Sequence, residues 1–263
     1  WTIDHPGPLG ASLQDLADFY DVTAGRHPDD STSHGHPAPE AVGSLRPTDL
    51  EDVRIGWTPK LSEDATAPVT HQFFESLGAL GDEGAVVQER TVDYLQLAQT
   101  VGYVTMGSEA AATQREWLNE HRTDYNLDTR LLLAGGERIT AAEYLHAQRI
   151  RTLVRDELAN LLRQFDVFAT PTRAGGVPKI APESLESGEV NSRFNSHVSR
   201  YTFLGNVTGF PAVTLPCGTD QNGMPIGLML HGKPWREKKL LQVAAAVDDL
   251  LPDTPKPEIF YDI

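Results

Sequence analysis

Leu13, Leu16, Ala17 and Tyr20 fall on one face of a 3.6-residue repeat, so residues 13–24 read as a helix. Ser12 stands where an N-cap belongs, Asp15 follows three residues on, and Gly25 acts as a stop. Residues 25–50 mix Gly, Pro, Ser and His without any period and read as a long loop. Residues 53–57 form a short strand, Phe73, Phe74, Leu77 and Leu80 mark a helix over 68–80, and 85–88 is a second strand. Strand, helix and strand at this spacing predict a β-α-β unit with parallel pairing.

Residues 93–163 read as mainly helical. The clearest repeat spans 141–165, through Tyr144, Leu145, Ile150, Leu153, Val154, Leu158, Leu161, Leu162 and Phe165. It feeds a strand at 167–170 that Pro171 terminates. Residues 171–200 show no period and read as irregular. Two apolar runs, 211–216 and 226–230, flank Asp220-Gln221-Asn222-Gly223 and predict a hairpin. An amphipathic helix follows over 236–250, and the residues after Pro252 read as a polar, loosely held tail. The class is α/β, with no internal repeat.

The 263 residues suffice for one large domain or two small ones. No run approaches the roughly 18 apolar residues that a membrane span requires. Asp and Glu number 37 against 22 Lys and Arg, a net charge of −15. That sign repels phosphate backbones and argues against nucleic acid as a partner. A single cysteine, Cys217, excludes an internal disulfide and a Cys-rich metal site. A single cysteine fits a reducing compartment, so the expected compartment is the cytoplasm.

The chemistry visible in the residues alone is thin. His27, His34 and His36 cluster with Asp29 and Asp30, but their spacing fits no rigid metal-ligand pattern and reads as a solvated loop. Cys217 with His231 suggests a thiol and its base. Cys217, however, ends a buried strand between Pro216 and Gly218, and His231 reads as a satisfied or exposed histidine. No Gly-x-Ser-x-Gly turn and no glycine-rich phosphate loop occurs. Ser62 near Lys60, and Ser196 and Ser199, lack a glycine-rich context. No cofactor and no metal is expected.

Several stretches, in order, resemble the amidase-signature family. WTIDHPGPLGASLQDLADFYDVTAG (1–25) resembles the segment that follows that family's serine-rich signature. RLLLAG (130–135), AAEYLHAQRIR (141–151) and FDVFATPT (165–172) resemble its long helical region and the strand leading to a Thr-Pro turn. The most specific match is FLGNVTGFPAVTLPCGTDQNGMPIGLMLHGKPW (203–235). The resemblance covers about residues 1–250 and implies a mixed β-sheet flanked by helices on both faces, incomplete without an N-terminal segment. Residues 1–252 would then be the C-terminal portion of one such domain, with 253–263 as a tail.

What the resemblance implies about activity is hydrolysis of carboxylic amides to an acid plus ammonia or an amine. In that family a nucleophilic serine passes its proton through a second serine, held by a cis peptide, to an uncharged lysine. All three lie upstream of the segment that matches Trp1, so no catalytic residue carries over. The relay is therefore expected on an upstream fragment or a second chain. The alternatives are a non-catalytic remnant with the same fold and the A-type subunit of a glutamine-hydrolysing amidotransferase; a homo-oligomer is a further expectation. The resemblance places Tyr201, Thr202, Phe203 and Asn206 near the acyl group of a small-molecule amide. It adds Arg130, because members that handle carboxylate-bearing substrates use an arginine in this neighbourhood. Ser199 stands where the amidotransferase subunits carry a glutamine-binding aspartate, which argues against transamidation. A chain with the relay elsewhere is also expected to expose unpaired strand edges and apolar surface.

Overall fold

The computed structural model describes residues 1–253; the tail beyond, and the side chains of residues 186 and 192–194, lie outside that description. Helix α1 spans Leu13–Thr23 and starts on a reciprocal capping box, in which Ser12 and Asp15 each satisfy the other's backbone N–H. The loop over 25–50 is irregular apart from two single turns, Ser31–Ser33 and Leu50–Asp52. Strand β1 (Arg54–Trp57), helix α2 (Ala67–Asp82) and strand β2 (Val86–Glu89) form the expected β-α-β unit, and β1 pairs β2 in parallel, Ile55 opposite Val87.

The helical stretch resolves into α3 (Ala98–Glu120), α4 (Leu127–Gly136) and α5 (Ala141–Leu161), the last begun by a second capping box, Thr140 with Glu143. α5 ends four residues short of the expected 165, and Leu145 and Leu153 on it are exposed. Leu162 and Phe165 are nevertheless buried, in the turn that leads to strand β3 (Val167–Pro171). Pro171 is the last residue of that strand rather than the one beyond it. The stretch read as irregular contains two short helices, α6 (Ser184–Ser187) and α7 (Ser192–Ser199). Helix α8 (Phe203–Thr208) ends at Gly209, whose φ of 73° is the left-handed conformation that glycine adopts without strain.

Strands β4 (Ala212–Thr219) and β5 (Pro225–His231) make the expected hairpin. At its turn the Asp220 carboxylate accepts the backbone N–H of Asn222 and of Met224, at 2.8 and 3.0 Å. Helix α9 spans Glu237–Asp248.

The five strands lie in the order β2-β1-β3-β5-β4; β1 runs parallel to both β2 and β3, and β5 runs antiparallel to β3 and β4. Alternation along each strand sends side chains to two separate cores. Ile55, Val167, Ala169, Leu215, Leu228 and Leu230 pack with α1, α2 and α9. Phe168 packs on the other face with Val101 of α3, Val154 and Leu158 of α5 and Leu204 and Val207 of α8. This is the mixed sheet with helices on both faces. Gly56 permits the close stacking, since a Cβ there would lie 2.9 Å from the Phe165 ring.

Candidate functional site

The site is assembled from the first residues of the chain, from α3 and from α8. Gly102, Met106, Glu109, Ala110 and Thr113 recur at three- and four-residue intervals, so α3 presents them as one face. α8 brings Thr202, at its N-cap, with Phe203 and Asn206. Arg151 of α5 ties the parts together: Nε donates to the Val207 carbonyl, and both terminal nitrogens donate to Thr2, each at 2.7 Å. Asn206 Nδ2 donates to the Ile3 carbonyl at 2.8 Å.

Between these elements lies a cavity of about 430 Å³, lined by Trp1, Ile3, Asp4, Met106, Glu109, Ala110, Thr113, Gln114, Ser199, Thr202, Phe203 and Asn206. Three of the five residues named from the sequence, Thr202, Phe203 and Asn206, therefore meet in one place. Tyr201 does not join them. It is 1% exposed, and its hydroxyl donates to Asp64 Oδ1 at 2.7 Å, a carboxylate that also pairs with Arg200. Arg130 is on α4 and does not line the cavity; its Nε is buried without a partner among the described residues.

The cavity's polar groups are largely occupied. Burial acts to raise the Glu109 carboxyl, but hydrogen bonds from the backbone and hydroxyl of Thr2 and from the Tyr144 hydroxyl outweigh it and hold it below the usual carboxylate range. The Ser199 hydroxyl donates to the Asn195 carbonyl at 2.7 Å, meets the Tyr103 hydroxyl at 2.8 Å and accepts from Gln99 Nε2 at 3.0 Å. Among the described residues no lysine, arginine or histidine side chain lines the space.

The other candidate groups are structural. Ser62 is buried and its hydroxyl faces the Thr58 and Pro59 carbonyls at 3.3 Å. Burial pushes the Cys217 thiol up, against a hydrogen bond with Ser76, so it is not a thiolate near neutral pH. His231 is not exposed and only half satisfied: it is 0% exposed, Nε2 hydrogen-bonds with Thr170 Oγ1 at 3.4 Å, and Nδ1 has no partner among the described residues. Burial pushes its pKa down to about 4, because a charged imidazole has no solvent there. His27 and His34 are held by turns within their own loop, and no group of three metal-binding side chains occurs among the described residues.

A second concavity of about 480 Å³ continues along the same N-terminal segment. It runs between residues 6–10 and α1 on one side and residues 211–214 on the other, with Leu240 and Leu241 behind. Leu9 is fully exposed there and Phe19 is 48% exposed. The Gly232 N–H bonds the Pro211 carbonyl, so antiparallel alternation turns the Val213 and Leu215 backbone toward β5 and that of Ala212 and Thr214 outward. Among the described residues no strand pairs with that outer side.

The face of α3 does not stand out in the sequence. Its signal is there all the same: small or flexible residues, Gly102, Met106 and Ala110, at helical spacing on an otherwise weakly patterned helix.

Comparison with known proteins follows the same outline. The family model described as Amidase matches residues 1–241. A fatty acid amide hydrolase of Oryza sativa subsp. indica is 33% identical over 274 residues, covering 100% of this chain and 44% of its own length. The A-type subunit of glutamyl-tRNA(Gln) amidotransferase from a Sulfurihydrogenibium species is 28% identical over 269 residues, covering 92% of this chain and 54% of its own. A solved structure described as a vestigial protein complex, revealing the origins of an s-triazine catabolic enzyme, superposes with a TM-score of 0.80 at 23% identity. It covers 95% of this chain and 54% of its own, and shows the shared fold. The chain thus spans about half the length of the curated relatives it matches.

Proposed function

The chain belongs to the amidase family, and on that premise we propose that it supplies the scaffold and substrate-pocket wall of an enzyme that hydrolyses carboxylic amides. The acyl group rests against Thr202, Phe203 and Asn206, and the nucleophile and its proton acceptor come from a segment upstream or on another chain. A serine relay is the chemistry this family membership favours: a weak nucleophile made reactive by a neighbouring base, followed by an acyl-enzyme.

The observation that carries the reading is the outer side of β4, unpaired among the described residues, along the groove that the N-terminal segment shares with the cavity. Trp1, Ile3 and Asp4 wall the cavity and residues 6–10 wall the groove on β4, so strands added to β4 would arrive near the acyl group. The lining hydroxyl of Ser199 is engaged by Asn195, Tyr103 and Gln99, none of them a base, and the Thr2 hydroxyl beside the cavity is held by both Glu109 and Arg151, so we read the pocket as a receiving surface for groups brought from elsewhere. The lining also bears on the substrate. With no basic side chain in it, a carboxylate-bearing acyl group would lack a counter-charge, and an uncharged acyl group fits better. The same feature, with the Ser199 hydroxyl already engaged, disfavours the amidotransferase alternative.

The test is hydrolysis of an acyl p-nitroanilide series by this chain alone and by a longer polypeptide that carries the upstream segment. The reading expects none from the first and turnover from the second. Turnover by residues 1–263 alone contradicts it, as does an inactive longer polypeptide that is folded.

A further inference from the structure

Gly102 sits in the interior of α3, where glycine costs about 1 kcal/mol against alanine. A Cβ placed there would lie 2.2 Å from Phe203 Cδ1 and 2.5 Å from Cγ. Both atoms belong to the near side of the ring, so no small swing of a side-chain tip relieves the contact. The Phe203 ring is also held edge-on by Tyr103, with centroids 5.0 Å apart and an interplanar angle of 63°, and Tyr103 is pinned through its hydroxyl to Ser199. α3 therefore blocks the ring on one side while the cavity lies open on another.

We infer that Gly102 is a specificity-determining residue, whose missing side chain lets Phe203 lie flush against α3 and so sets how much acyl group the cavity admits. The inference rests on the reading of this cavity as the acyl pocket. It adds that pocket depth is governed by a backbone contact outside the lining, and that the preferred acyl groups are long or broad rather than acetyl-sized. Any side chain at 102 displaces the ring into the cavity and shortens it. Gly107 of the same helix serves as an internal contrast: it meets the backbone of Gly136 on α4, and that contact packs two helices without touching the cavity.

The experiment compares kcat/KM for acetyl through dodecanoyl p-nitroanilide in the longer polypeptide. Gly102→Ala is expected to lose about tenfold more activity toward dodecanoyl than toward acetyl substrate. Phe203→Ala in the same background removes the ring and should restore the long substrate. Phe203→Trp, which fills the cavity from the other side, should reproduce the selective loss without altering α3. An equal fall across all acyl lengths, or a selective loss that persists without the Phe203 ring, overturns the inference.

A folded wild type that hydrolyses none of the series counts against the amidase reading instead. Binding then decides the inference: dodecanamide should raise the melting temperature of wild-type chain and not of Gly102→Ala. Equal shifts, or no shift in either, overturn it.

Discussion

The sheet ends differently on its two sides. β2 is four residues long and carries Gln88 and Glu89, and parallel pairing to β1 turns only the Val87 and Glu89 backbone groups outward. β4 is eight residues long, carries no charge, and turns Ala212 and Thr214 outward beside a groove containing exposed Leu9 and Phe19. A long, uncharged, unpaired edge invites association, and stable proteins blunt such edges with charge or brevity. β2 is blunted in both ways and β4 in neither. Pro216, which has no N–H to offer, is its single concession. The difference teaches that the two edges are protected unequally, which is what the proposed function requires if β2 ends the sheet and β4 receives further strands.

The sharpest way to break the comparison is a proline at each edge, placed where the backbone N–H faces outward. Thr214→Pro in the longer polypeptide is expected to lower amide hydrolysis at least about tenfold, since it removes a ladder donor to the incoming strand. Glu89→Pro should leave hydrolysis within about twofold, because nothing needs to pair there. Comparable losses from the two variants would erase the distinction.

A weaker lever is pH. His231 sits opposite both Phe168 of β3 and Ala212 of β4, so it belongs to the β4 half of the sheet. In the unfolded chain an imidazole takes up its proton near pH 6.5, whereas burial delays this in the native state to about pH 4. Above pH 6.5 neither state is protonated and His231 contributes no pH dependence. Between 6.5 and 4 only the unfolded state gains the proton, so stability falls as pH falls, by on the order of 3 kcal/mol. Urea unfolding from pH 8 to 4.5 checks this, and His231→Leu should flatten the profile. If the wild-type and His231→Leu profiles fall in parallel, the effect belongs to other groups.

The smallest expected effect is at Cys217, on β4 but facing the core under α2 and α9. Cys217→Ser should cost about 1–2 kcal/mol of stability, since it buries a hydroxyl in an apolar setting. Hydrolysis per folded molecule should stay unchanged. A selective loss of activity would place Cys217 in the chemistry and weaken the view that β4 contributes backbone rather than side chains.

Much of this architecture is legible in the sequence wherever a local pattern and a local stop coincide. Phe73, Leu77 and Leu80 sit at helical spacing between two short apolar strands and are buried where that spacing puts them, whereas Phe74, read on the same face, is 40% exposed. Asp220 to Gly223 mark the hairpin because the Asp220 carboxylate accepts the Asn222 N–H and Gly223 takes a φ of 75°. α7 is not legible. It is short and polar, and bonds from Gln99 and Tyr103, nearly a hundred residues away, hold it. The same reason hides half of the site. Thr202, Phe203 and Asn206 stand out through resemblance, but nothing local to α3 says that Gly102 will meet Phe203. Tyr201 and Thr202 are neighbours in the chain and differ by a turn of about 100° on entering α8, enough to send one to the core and the other to the cavity. The burial of His231 is equally hidden, because a strand-end histidine gives no local sign of the neighbours that will cover it.

Amide hydrogen exchange over residues 212–219 probes the central claim most directly, measured in this chain alone and in the polypeptide that carries the upstream segment. The account predicts that Ala212 and Thr214 exchange rapidly in the first and become protected in the second, while Val213 and Leu215, already bonded to β5, are slow in both. Equal protection of Ala212 and Thr214 in the two samples would contradict it, because β4 would then be a finished edge and not a seat for further strands.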